Sequence, residues 1–176
     1  ENVFTYEFDA PGELESVEGK LKPIVNNGVL IVEHARDDYL RNARPIEIVT
    51  DEVGEIVVRM RATKGTHFSL GWSPRAQPEI PRRYRVEIPL IADGRFHNYS
   101  INARNALRRG LEEGNALHFL ALEPSNVPGD RVEVDFIRFL STHSKYLGRP
   151  RDLAYEQIAG EMRPVMSMLP RQTLEF

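Results

Sequence analysis

Apolar side chains return at every second position through most of this chain, and turn residues cut the pattern into short pieces. Phe4, Tyr6 and Phe8 share one side of an opening strand, which Asp9-Ala10-Pro11-Gly12 ends. Asn26-Asn27-Gly28 is a hairpin signal ahead of Val29-Leu30-Ile31-Val32-Glu33. Ile46-Glu47-Ile48-Val49 forms the next strand. In the run 55–61, Ile56, Val58 and Met60 then face one way and Val57, Arg59 and Arg61 the other. Lys64-Gly65 turns into 67–72, with Phe68, Leu70 and Trp72 inward and His67, Ser69 and Gly71 outward. After a loop carrying Pro74, Pro78 and Pro81, the run 84–90 alternates again, with Arg83, Arg85 and Glu87 outward. Pro89 cannot donate to a ladder, so this end belongs at an edge or a bulge. Asp93-Gly94 precedes the strand 96–102, and strands at 117–122 and 132–139 flank the loop 124–130.

Nine or ten short strands at this turn spacing predict an all-β fold, an antiparallel β-sandwich with its two sheets face to face. The expected core is Phe8, Ile31, Val58, Phe68, Leu70, Val86, Ile88, Tyr99, Phe119 and Phe136. A parallel α/β sheet would need amphipathic helices between the strands, and the one helix-like stretch before the last strands, 105–113, is cut short by Gly110 and Gly114. The pattern changes after Phe139. Residues 152–162 carry an approximate helical stripe, Pro164 interrupts it, and the end reads as extended. This divides the chain into a sandwich domain, 1–143, and a C-terminal helical and extended tail, 144–176. The tail's apolar residues are expected to pack on the sandwich, a neighbouring domain or a second copy. The missing initial Met and the strand-like last residues read as a fragment of a longer polypeptide.

Charge narrows the partners only slightly. With 26 acidic and 23 basic residues the chain has no general attraction for nucleic acid. The absence of cysteine removes thiol chemistry and disulfides, and no apolar run is long enough to span a membrane. Neither a nucleophile elbow, a phosphate-binding glycine loop nor a His-Glu-x-x-His zinc helix is present. His34, His67, His97, His118 and His143 have no metal-ligand spacing.

The polar positions most suited to binding are Arg59, Arg61, His67, Arg83 and Arg85, all on non-core sides of their strands. On neighbouring strands they would form a basic surface for carboxylated or sulfated sugars, because the guanidinium fork matches oxyanions bidentately. The competing and favoured reading is a solvated face neutralised by Glu47, Glu55 and Glu87. Trp72 shares the register of Phe68 and Leu70 and so belongs in the core. Tyr39, in an acidic loop, is the better candidate for stacking on a sugar.

The stretch 93–99, reading Asp-Gly-Arg-Phe-His-Asn-Tyr, is followed by Ala121-Leu122-Glu123-Pro124 and by 128–138, reading Pro-Gly-Asp-Arg-Val-Glu-Val-Asp-Phe-Ile-Arg. Together they resemble the jelly-roll, carbohydrate-binding-module-like domains of secreted bacterial polysaccharide-active or sulfatase-associated proteins. The likeness runs from about 4 to 139, and Gly71-Trp72 fits it. It implies a β-sandwich, an accessory role without catalysis, and an extracellular, cell-surface or periplasmic location. In such domains an acid on the last strand meets the first strand at structural calcium, which here implies Asp135 with Glu7 or Asp9 as oxygen ligands. The functional expectation is therefore a carbohydrate-binding module, with acidic or sulfated polysaccharide as its ligand. An assembly domain joined through its tail and a shallow-site glycan hydrolase are the alternatives.

Overall fold

The structure is a computed structural model that describes residues 2–73, 84–107 and 116–141. It is an antiparallel β-sandwich. The first sheet runs in the order β10 (His97–Asn102), β7 (Val53–Arg61), β13 (Arg131–Ser141), β4 (Val29–Glu33) and β3 (Ile24–Asn26). β1 (Asn2–Tyr6) joins the far half of β13, beside β4. The second sheet runs β2 (Leu14–Ser16), β5 (Leu40–Asn42), β12 (Phe119–Glu123), β8 (His67–Ser73) and β9 (Arg85–Pro89). A small ribbon pairs β6 (Ile48–Val49) with β11 (Ala116–Leu117), and a single helical turn, α1 (Ala103–Ala106), follows β10. No helix among the described residues is long and apolar enough to cross a membrane. The proposed tail, 144–176, and Arg83 lie outside the described residues.

Alternation builds the core much as expected. Ile56, Val58 and Met60 of β7 meet Phe68, Leu70 and Trp72 of β8 across the interior, all buried. Phe68 packs edge-on against Tyr99, with ring centroids 5.1 Å apart. Phe8 is buried as expected, although it lies beyond the end of β1 with a φ of 58°, in the left-handed region. Val86 and Ile88 are only half-buried because β9 is an edge strand, which also accounts for Pro89.

Three expected core residues lie elsewhere. In β4 the buried pair is Leu30 and Val32, and Ile31 faces out. The Asn27-Gly28 turn, with φ of 53° and 75°, sets Asn26 opposite Val29 and thereby the side to which Ile31 points. In β13 the pairing with β7 shifts between Val134 and Phe136, so Asp135 is the extra residue of a bulge. The bulge reverses the alternation: Val132 and Val134 are buried before it, Ile137 and Phe139 after it, and Phe136 turns outward beneath Arg138. Phe119 is buried, but with Ala121 and Tyr39 on the outer side of the second sheet. The interior positions of β12 belong to Leu120 and Leu122.

Two buried carboxylates organise the loops. Asp130 has no exposure and accepts hydrogen bonds from the backbone N–H groups of Thr63, Lys64 and Gly65 and from the hydroxyls of Thr63 and Ser125. Burial alone would raise its pKa; the bonds from Ser125, Thr63 and Gly65 outweigh it and hold the pKa below the usual value. Gly65 is needed here for space, because a Cβ would run into Ser125 Oγ and press on Asn126 and Leu90. Gly65→Ala is expected to cost about 1–3 kcal/mol in chemical denaturation. An unchanged midpoint would show that the loop yields freely.

Candidate ligand-binding face

The outer side of the second sheet has an ordered cross-strand row. Glu15 pairs with Arg41, Arg41 with Ala121, Ala121 with Gly71, and Gly71 with Arg85. Two arginines thus stand three strand spacings apart, about 14 Å along the backbone. Between them the floor is made of Ala121 and Gly71. Phe119 and Ser73 extend the floor on one side, and Glu123, Ser69 and Glu87 on the other. These small residues are themselves covered: Ala121, Gly71, Ser69 and Ser73 are all buried, so β8 is buried on both of its sides.

The large side chains of this face are paired, each arginine with an aromatic ring. The Arg41 guanidinium lies 5.3 Å from the centre of Phe119, and that of Arg85 lies 5.0 Å from the centre of Tyr39. Tyr39 packs on Phe119 and Ala121 and is half-buried, whereas Phe119 is buried. Arg85 Nε is buried without a hydrogen-bond partner among the described residues. His67, at the end of β8, has Nε2 3.7 Å from Glu87.

Tyr39 owes its place to Asp38. That carboxylate is 2% exposed and accepts from Ser16 Oγ and from the N–H groups of Glu18, Lys20, Leu21 and Tyr39. Burial pushes its pKa up, but the bonds from Ser16, Glu18, Leu21 and Lys20 bring it down to about 2. Val17 N–H also donates to the Tyr39 carbonyl at 3.0 Å. The Asp37-Asp38 pair reads in the sequence as an ordinary polar loop. Apart from Tyr39, Asp38's donors lie 17 to 22 residues away along the chain, so no local spacing marks it. Arg41 and Phe119 were absent from the expected binding residues for a similar reason: only the strand order places Arg41 over Phe119 and both in one sheet with Arg85.

The expected basic face is divided. His67 and Arg85 do share the second sheet, and Tyr39, just before β5, packs on its outer side, but Arg59 and Arg61 belong to β7 in the first and face the opposite way. Equal parity cannot bring together strands that enter different sheets. On the first sheet, Arg59 Nε binds Asp135 at 3.0 Å and Arg61 binds Glu133 at 2.9 Å. Both guanidinium groups also lie over Phe96. These half-exposed pairs form a neutralised surface.

Nor do Glu7, Asp9 and Asp135 converge. Arg138 grips Glu7 through two bonds, at 2.7 and 3.0 Å, and its hydrogen bond is the main reason the Glu7 pKa is lowered. Asp135 is held by Arg59, and Asp9 is exposed. Among the described residues, no three histidine or acidic side chains are placed to hold a metal ion. The geometry therefore lends the calcium expectation no support.

A further groove, of about 570 Å³, opens between Phe4, Tyr6, Glu13, Glu15, Asn42 and Arg44. Its Tyr6 hydroxyl is buried, and burial followed by the nearby Glu13 charge raises the phenol's pKa. Its aromatic members are the half-buried Phe4 and the buried Tyr6, and Gly12 and Ala43 also line it.

No protein-family model matches the sequence, and no curated protein matches it. Solved structures do share the fold. One is the low-affinity xylan-binding module CBM86 from Roseburia intestinalis, at 12% identity and a TM-score of 0.51, over 80% of this chain and 95% of that one. A second is BiXyn10A CBM1 in its apo form, at 10% identity and a TM-score of 0.50, over 81% and 99%. A third is a family 29 carbohydrate-binding module, at 10% identity and a TM-score of 0.50, over 82% and 90%. At these identities the likeness is one of fold.

Proposed function

We propose that this chain is a non-catalytic carbohydrate-binding module, an accessory unit of an extracellular or surface protein. Its sugar-binding surface is then the outer side of the second sheet. The observation that carries this reading is Tyr39, held by Asp38 beside the Gly71 and Ala121 floor with Arg85 at its ring. A half-exposed aromatic ring fixed on a sheet suits a pyranose ring, and donors beside it suit its substituents. Solved carbohydrate-binding modules with the same fold, one of them xylan-binding, support the assignment. Arg41 and Arg85 favour polysaccharides bearing carboxylates or sulfates over neutral ones.

Affinity electrophoresis tests this with xylan, glucuronoxylan, polygalacturonate and its methyl ester cast in native gels. Wild type is expected to be retarded, more by acidic than by neutral polymers, and the acidic retardation should fall with added salt. Tyr39→Ala is expected to weaken binding about five- to thirtyfold, the loss of about 1–2 kcal/mol of stacking. Unretarded wild type in every gel would overturn the reading. Retention unaffected by Tyr39→Ala would move the site off this face.

A further inference from the structure

Arg85 has an unusual position for a surface arginine. It projects from the edge strand β9 opposite the buried Gly71. Its guanidinium meets an aromatic ring, and its Nε is buried without a hydrogen-bond partner among the described residues. The acid nearest along its own strand and face, Glu87, lies beside His67. Arg59, Arg61 and Arg138 contrast with it, because each also lies over an aromatic ring yet holds a carboxylate.

We infer that Arg85 is the specificity gate of this face: it occupies the Tyr39 ring in the empty protein and gives it up to a sugar. The inference rests on the carbohydrate-binding reading above. A pyranose and a guanidinium cannot both cover the same face of Tyr39. A neutral sugar that stacks there must displace Arg85 and forfeit the cation–π contact, with nothing offered to the displaced charge. A uronic acid or sulfated sugar instead supplies an oxyanion to the moving guanidinium, which gains charge-assisted hydrogen bonds in exchange. The same residue therefore opposes neutral ligands and rewards acidic ones. Arg41 does not play this part, because its ring partner, Phe119, is 5% exposed and offers a sugar no face.

The gate predicts opposite signs for one substitution. Arg85→Met keeps the apolar stem and removes the charge. It is expected to tighten binding of methyl-esterified polygalacturonan or plain xylan by about two- to thirtyfold, the range of a cation–π contact. The same variant should bind polygalacturonate or glucuronoxylan more weakly than wild type does. Arg85→Gln should show the same reversal, which covers a Met variant that disturbs the edge strand. Adding Tyr39→Ala to either variant should erase the gain for neutral polymer, since the freed ring is its source. Equal losses for both polymers would make Arg85 a simple ligand contact, and unchanged affinities would make it a bystander; either outcome overturns the gate. Wild type that binds none of the four polymers would instead overturn the carbohydrate reading itself, and the gate with it.

Discussion

Asp130→Ala should lower stability by about 4 kcal/mol, with a fall in melting temperature of roughly 10–15 °C. The magnitude follows from what the substitution strands. Asp130 satisfies three consecutive backbone N–H groups and two hydroxyls from a fully buried position. Truncation leaves donors in a dry site that water enters only by opening the 63–66 loop. That loop leads directly into β8, so the damage should spread to the register of His67 and Ser69. Asp135→Ala is the natural comparison. Asp135 also binds an arginine, but at 40% side-chain exposure, and its loss should cost less than about 1 kcal/mol. Differential scanning calorimetry of the two variants measures the contrast. Similar destabilisation by both would mean that the hydrogen bonds to Asp130 count for no more than a surface pair.

Acid should destabilise the protein in a window set by Asp38. Its folded pKa of about 2 lies below the ordinary 3.8, so the folded state binds this proton less readily than the unfolded chain. The resulting stabilisation is complete above the unfolded value and disappears as pH falls through the folded one. The difference is worth about 2 kcal/mol, lost between about pH 4 and pH 2. The lowered Asp130 pKa adds in the same direction. Asp38→Asn should therefore be less stable than wild type at pH 7 and show a flatter decline through the acid range. Urea midpoints at half-unit pH steps would measure this. A variant whose curve runs parallel to wild type would remove Asp38 as the source. Because Asp38 also accepts the Tyr39 N–H, the variant should bind polysaccharide more weakly at neutral pH.

Much of the architecture is legible without coordinates. Period-two alternation identifies the interior sides of β7 and β8 correctly, and Asn27-Gly28 and Pro89 mark a hairpin and an edge. The places where alternation misleads share a physical cause. Val29-Leu30-Ile31-Val32 is apolar at every position, so only the turn register chooses its inner side. Asp135 looks like any outward acid until the ladder shows that it is an inserted residue. At Phe119, the chain leaves the β6–β11 ribbon at His118, whose N–H donates to the Ser73 carbonyl, and enters β12 on the other parity.

By itself, then, the sequence determined the antiparallel sandwich, most of its hydrophobic interior and the candidacy of Tyr39, His67 and Arg85. These rest on alternation and turn chemistry, which act between residues close along the chain. The tertiary structure alone decided that Arg59 and Arg61 face away from Arg85, that Arg41 and Phe119 join its face, and that Asp38 and Asp130 are buried anchors. Strand order and long-range hydrogen bonds produce those relations between residues tens of positions apart, and no local period encodes which sheet a strand will enter.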